Sequence, residues 1–410
     1  MNLPLLYIDP GTGSALFSIL IGAAATLFFV GRALIIKLKV VLSGGKTTAI
    51  TSHPYVIYNE GKQYWNVFKP VLEEFEKREI EILYLTSSED DPVFDISWHF
   101  IKPEYIGEGN RAFAHLNILQ ARICLMTTPG LNVFQLKRSK MTAHYAHVLH
   151  APTDATLYRL FGLDYFDSIY LTGGYQANDI RYLEQQRNLP EKKLLTAGCT
   201  YLDVYAEKIR TLPAEENHHF TVLVSPTWGP SALLSKYGEK LLDPLLKTNW
   251  RIIVRPHPQS LKSESAMLGK LFIKYGDAVF WDYERENIHS LVKADIMISD
   301  FSGIIFDFAF LCDNPIFYII QDIDLRIYDA DDLGDDAVEK LWQFKTIKEI
   351  GIELQENHFE QIDKHIKEAI KSESLKTARN KARMDAWQYP GEAGKRIADF
   401  MIETVNAQKA

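Results

Sequence analysis

Two short stretches of this sequence hold the residue types that grip an anion: Arg255-Pro256-His257-Pro258, and Ser299-Asp300-Phe301-Ser302-Gly303. Each follows an apolar run that reads as a strand, "RIIVRP" at 251–256 and "DIMIS" at 295–299. A guanidinium and an imidazole at a strand tip are charge-assisted donors for phosphate oxygens. The prolines hold the residue before each of them extended and so fix where the two side chains point. Ser302 and Gly303 open an apolar helix read over 303–312, whose unpaired first-turn amides favour a second anion. The same serine is also an ordinary helix cap, and Arg255 is equally suited to a structural carboxylate partner. Asp307 lies one turn inside that helix, placed for a ribose hydroxyl or for solvent. A third strand-to-helix turn, "SPTWGPSALL" at 225–234, brings Thr227 and Trp228 to the mouth of the same site.

A proton acceptor is offered by "HYAHVLHAPTD" at 144–154. On a helix, His144, His147 and His150 would form a stripe able to ligate a metal. The segment reads instead as a strand, with His144 and His150 on one face and His147 on the other. His150 stands at its end, and an imidazole there suits removal of a proton from a hydroxyl near neutral pH; the alternative is a buried, hydrogen-bonded histidine. The acidic pieces "QDIDL" (321–325) and "DADDLGDD" (329–336) read as solvated loop rather than a metal site, so no metal and no cofactor is expected.

The elements that carry these residues alternate. A strand at 54–58, a helix at 65–80 and a strand at 81–86 make a β-α-β unit, continued by strands at 121–128, 144–150, 167–174 and 193–198 and a helix at 173–188. Polar, Pro-containing sequence at 209–219 interrupts the rhythm. A second set follows: strands at 220–225, 251–256, 295–299 and 315–320, with helices at 231–248 and 303–312. Two Rossmann-like halves imply a cleft, with Arg255, His257, Ser299 and Asp300 at the carboxyl ends of its strands. The 410 residues, 47% hydrophobic and without internal repeats, suffice for two cores. A formal charge of −8 lacks the basic footprint of a nucleic-acid binder. Cys124, Cys199 and Cys312 stand singly in apolar segments, as reduced, buried thiols do.

The first 45 residues differ. "GTGSALFSILIGAAATLFFVG" at 11–31 carries no charge and is long enough to cross a bilayer as one helix. Arg32, Lys37, Lys39 and Lys46 follow it, which predicts a single-pass anchor in the cytoplasmic membrane with the rest of the chain in the cytoplasm. The alternative for this span is a buried core helix.

The ordered set of His150 before a Pro/Thr turn, "SPTWG", "RPHP", "SDFSGIIFDFAFL" with "NPIFYI", and "YPGEAGKRIADFM" at 389–401 resembles the CDP-glycerol glycerophosphotransferase family, which includes teichoic-acid primases and polymerases. The likeness runs from about residue 50 to 405, and its C-terminal half is the specific part. It implies an α/β protein of GT-B fold, two Rossmann-like domains facing a cleft, here preceded by one transmembrane helix. The expected parts are the anchor at 1–45, an acceptor domain at 46–212, a CDP-glycerol-binding domain at 213–388, and a helix at 389–410 crossing back. By the resemblance His150 corresponds to the family's base, and Arg255, His257, Ser299, Asp300 and Ser302 to its CDP-glycerol phosphate region, with Gly303 where the family has a further serine. The histidine turn also departs, reading His-Ala-Pro-Thr where the family has His-Gly-Thr. The implied reaction passes glycerol phosphate from CDP-glycerol to a lipid-linked or glycan hydroxyl and releases CMP. A GT-B glycosyltransferase using a nucleotide sugar and a tethered binding protein without turnover are the alternatives. The acceptor, the number of transfers and the oligomeric state are not legible.

Overall fold

The computed structural model describes residues 53–213, 219–321, 323–328, 337–370 and 373–409. The uncharged span at 11–31 and the acidic stretch at 329–336 lie outside them. Among the described residues no helix is long and apolar enough to cross a membrane.

Two parallel sheets carry the described chain. The first is built from β1 (His53–Asn59), β2 (Ile82–Thr86), β3 (Ile101–Tyr105), β4 (Ala121–Met126), β5 (Thr142–Val148), β6 (Ser168–Leu171) and β7 (Lys193–Thr196), in the order β3-β2-β1-β4-β5-β6-β7. The second is built from β8 (Thr221–Val224), β9 (Arg251–Val254), β10 (Phe280–Trp281), β11 (Ile296–Ser299), β12 (Ile316–Tyr318) and β13 (Ile352–Glu353), in the order β10-β9-β8-β11-β12-β13. Both orders reverse direction beside the first strand of the sheet, at β1/β4 and β8/β11. That reversal opens a crevice at the carboxyl ends of the strands in doubly wound sheets.

Alternation along the central strands explains why they are buried on both faces. Ile57 joins a core with Phe68, Ile397 and Met401, while its neighbour Val56 joins another with Cys124 and Ile169. In the second sheet Val222 and Val224 face Leu241, and Leu223 faces Phe306 and Phe308. Cys124 and Cys199 are buried and Cys312 is half-buried.

The apolar runs named from sequence coincide with strands and helices, which end one to three residues earlier in most cases. β3 gives no strand signal in the sequence, because "IKPEY" contains Pro103 and only alternate residues are exposed. It is an edge strand, where a missing amide costs nothing. The last helix, Ala393–Ala407, returns to the first sheet: Gly394 abuts Pro70 of the helix Trp65–Lys77, and Ile397, Ala398 and Met401 are sealed in that core. Asp203 ties the crossing down by accepting hydrogen bonds from the Trp387 indole at 2.8 Å, the Gly391 amide at 2.7 Å and the Ala393 amide at 3.2 Å.

Candidate active site

His150 lies just past the end of β5. Its Nδ1 is 2.9 Å from the Thr127 hydroxyl, just past β4, and 3.1 Å from the Tyr158 hydroxyl. The ring also meets Tyr64 edge-on at 5.1 Å. Burial pushes the imidazole down to about 4, so it is neutral throughout the physiological range. Nε2 has no hydrogen-bond partner among the described residues.

A cavity of about 300 Å³ opens beside this ring. The first sheet contributes His150, Ala151 and the helix start at Gln63, Tyr64 and Asn66; Gly303 and Asp307 come from the helix after β11, and Tyr201 and Tyr205 from the helix Thr200–Thr211. The proton acceptor and the helix start named from sequence thus share one cavity. Asp307 lines this cavity with its carboxylate already engaged by side chains. It accepts from the Tyr201 hydroxyl and, at 3.2 Å, from the Asn287 amide, and burial pushes its carboxyl well above the usual range.

Asp300 is fully buried and binds backbone. Its carboxylate accepts from the amides of Thr227 (2.9 Å), Leu233 (2.9 Å) and Ser302 (3.1 Å), pinning the 225–233 turn to the 299–303 turn. Burial raises it to about 6, against the pull of those three amides. Ser299 does similar work, donating its hydroxyl to the Ser225 carbonyl at 2.5 Å. The Trp228 carbonyl accepts from the Tyr328 hydroxyl at 2.6 Å, and Thr227 is nearly buried. With the Ser302 amide taken by Asp300, the amides of Gly303 and Ile304 are left without an intrahelical partner, as helix starts require.

Arg255 and His257 differ in what they still offer. The Arg255 guanidinium is nearly buried, pairs with Asp282 at 2.6 Å and donates to the carbonyls of Glu284 (2.7 Å) and Arg285 (3.3 Å). His257 is half-buried, and its Nδ1 accepts from the Gln259 amide at 3.1 Å, which places the ring proton on Nε2 as a donor. Desolvation lowers its pKa, with Glu264 pulling the other way.

The other two histidines of the stripe do not join. His144 pairs with the Ser168 hydroxyl at 2.9 Å, and His147 is sealed between Tyr158 and Phe166 with both ring nitrogens unpartnered. Among the described residues no cluster of His, Cys, Asp or Glu is grouped to hold a metal ion. Sequence reasoning missed Asp154, in "APTD", whose carboxylate caps the helix Trp342–Ile350 from across the chain through the amides of Trp342 (2.8 Å) and Gln343 (2.7 Å). It also missed Thr127, Tyr64, Tyr158, Tyr201 and Asn287; only Thr127, in a "TTPG" turn ending an apolar run, carried any local signal.

Residues 176–335 match the profile of a family described as CDP-Glycerol:Poly(glycerophosphate) glycerophosphotransferase. No curated protein sequence matches the chain. Among solved structures, a histidine-to-asparagine variant of the wall teichoic acid polymerase TagF soaked with CDPG is similar at 15% identity and a TM-score of 0.53, covering 92% of this chain and 98% of that one. The UDP-GlcNAc 2-epimerase of Methanocaldococcus jannaschii, in complex with UDP-GlcNAc and UDP, is similar at 13% identity and a TM-score of 0.56, covering 86% of this chain and 99% of the other. At such identities the likeness is one of fold, shared by a transferase and an epimerase alike.

Proposed function

We propose, from the match of residues 176–335 to the CDP-Glycerol:Poly(glycerophosphate) glycerophosphotransferase profile, that this chain is a membrane-anchored transferase of that family, which passes glycerol phosphate from CDP-glycerol to a lipid-linked or glycan hydroxyl in cell-envelope polymer synthesis. The observation that carries the reading is one cavity lined by a neutral histidine from the first sheet and by Gly303 from the second. The acceptor hydroxyl attacks the glycerol-side phosphorus of CDP-glycerol and gives its proton to Nε2 of His150. The bond from that phosphorus to the bridging oxygen breaks, and CMP departs with the bond's electrons. Charge on the pyrophosphate is met by the amides of Gly303 and Ile304, the Ser302 hydroxyl and the Nε2–H of His257. Asp300 and Ser299 act by holding those turns in place, and Thr227 and Trp228 form the rim on the donor side.

The test is release of CMP. The protein in membranes, given CDP-glycerol, should release CMP and extend a lipid-linked product by glycerol phosphate units visible by mass spectrometry; UDP-sugars should release no nucleotide. CMP absent while UDP is released would replace this reading with that of a nucleotide-sugar enzyme.

The uncharged span at 11–31 and the cations after it support a single-pass anchor with the catalytic part in the cytoplasm. Tethering matters because a lipid-linked acceptor is confined to a surface, where an anchored enzyme meets it at high effective concentration. Deleting residues 1–45 should leave a soluble chain with unchanged melting temperature and nucleotide affinity. Turnover on membrane-resident acceptor should fall on the order of 10²-fold. Loss of folding would show the span to be core.

A further inference from the structure

We propose that Thr127 sets the tautomer of His150 and thereby makes Nε2 the nitrogen that takes the acceptor's proton; the catalytic half of this statement rests on the transferase reading above. The Thr127 hydroxyl has a single proton and two neighbours. It lies 3.0 Å from the Val148 carbonyl and 2.9 Å from Nδ1 of His150. A carbonyl accepts and never donates, so the hydroxyl proton goes to Val148. Toward the ring the same oxygen then has only lone pairs, and a bare Nδ1 at 2.9 Å would set lone pair against lone pair. Nδ1 therefore carries the ring proton and donates it to Thr127, sharing it with the Tyr158 oxygen at 3.1 Å.

The consequence falls on the other nitrogen. A neutral imidazole has one proton, so Nε2 is left as the lone-pair site, and it has no partner among the described residues beside the cavity. Thr127 is buried, and its residue neighbours in sequence run straight from β4, which pairs with β5 through Met126 and His147. The parallel register thus brings the ends of both strands together, and a hydroxyl in place of an alkyl group decides which ring nitrogen is basic. Thr127 touches no reacting atom; it is a positioning residue.

The experiment labels histidine nitrogens with 15N and assigns His150 by comparison with His150→Gln. The wild-type signal is expected to show protonated Nδ1 and bare Nε2 at neutral pH. In Thr127→Val the donor to Val148 and the acceptor for Nδ1–H are both gone, so Nδ1 can accept from Tyr158 and the ring shifts toward the Nε2–H form. Turnover should fall about 10- to 100-fold, less than loss of the base itself, while KM for CDP-glycerol stays within about twofold. Thr127→Ser should restore both the signal and the rate. The proposal is overturned by an Nε2–H signal in the wild type, by full turnover in the valine variant, or by a serine variant that folds but rescues neither. If the valine variant does not fold, the wild-type signal and the serine variant decide. A wild type that releases no CMP sinks the transferase reading while leaving the tautomer result intact.

Discussion

His150→Ala is expected to lower turnover about 10²- to 10⁴-fold, the usual contribution of a positioned general base. Affinity for CDP-glycerol should be nearly unchanged, because the proposed donor groups, Ser302, Gly303 and His257, stand on the second sheet. The melting temperature should change little at pH 8, since removing the ring leaves Thr127 bound to Val148 and empties a position already beside a cavity. A histidine of structural importance only would show the opposite, a lower melting temperature with activity falling in step.

The pH profile sharpens this test and departs from the sequence reading. A free imidazole would give a rate rising through pH 6 to 7. Burial beside Tyr64 and Tyr158 lowers the value to about 4. The rate should therefore be level from pH 8 down to about 5 and fall below that as Nε2 takes a proton. The same shift has a linkage consequence: the unfolded chain takes up this proton near 6.5, the folded chain only near 4. Stability contributed by keeping the ring neutral is complete above 6.5 and is lost as pH falls from there to about 4. His147, held well below its usual value by desolvation, adds in the same direction. The alanine variant should lose the acid limb in rate; a limb that survives would put the base elsewhere.

What the sequence made legible follows from how local each signal is. Long apolar runs between turns announced most strands and the helix after β11, because parallel strands buried on both faces are apolar throughout. β10 and β13, at two residues each, are too short for any period to register. His150 and the Ser-Asp-x-Ser turn could be named because each is a local pattern at a strand end. Their meeting in one cavity depends on two strand orders that no spacing encodes. Asp300 illustrates the limit: a carboxylate beside two serines reads as a ligand group, yet three backbone amides converge on it in the folded chain. Tyr201 and Asn287 matter through contacts across elements, and their sequence neighbourhoods are ordinary; the turn at Thr127 is visible in the sequence, but its contact with His150 is not.

Arg255→Ala is expected to cost about 3–5 kcal/mol of stability, the range for removing one partner of a buried ion pair. The sequence alone points to a different loss, about 2–4 kcal/mol of CDP-glycerol binding with folding intact. The geometry favours the first. Asp282 is 4% exposed, and burial alone would raise its carboxyl; the Ser290 hydroxyl, the Glu284 amide and Arg255 outweigh that and hold it below its usual range. Without the guanidinium, a buried carboxylate keeps its charge and loses its cation. The apparent melting temperature should drop on the order of 10 °C. Two carbonyls are released as well, Glu284 and Arg285, and the segment they belong to carries Glu286, which holds Lys208 at 2.7 Å, and Asn287, which donates to Asp307. Binding should thus weaken too, as a consequence of a loosened wall. Arg255→Lys separates the two routes: it keeps a cation near Asp282 but cannot also span both carbonyls. It should recover part of the melting temperature. The double variant Arg255→Ala/Asp282→Ala should be more stable than the sum of the single changes, since the stranded charge is gone. An unchanged melting temperature in Arg255→Ala, with CDP-glycerol affinity down by a hundredfold or more, would return this side chain to the phosphate.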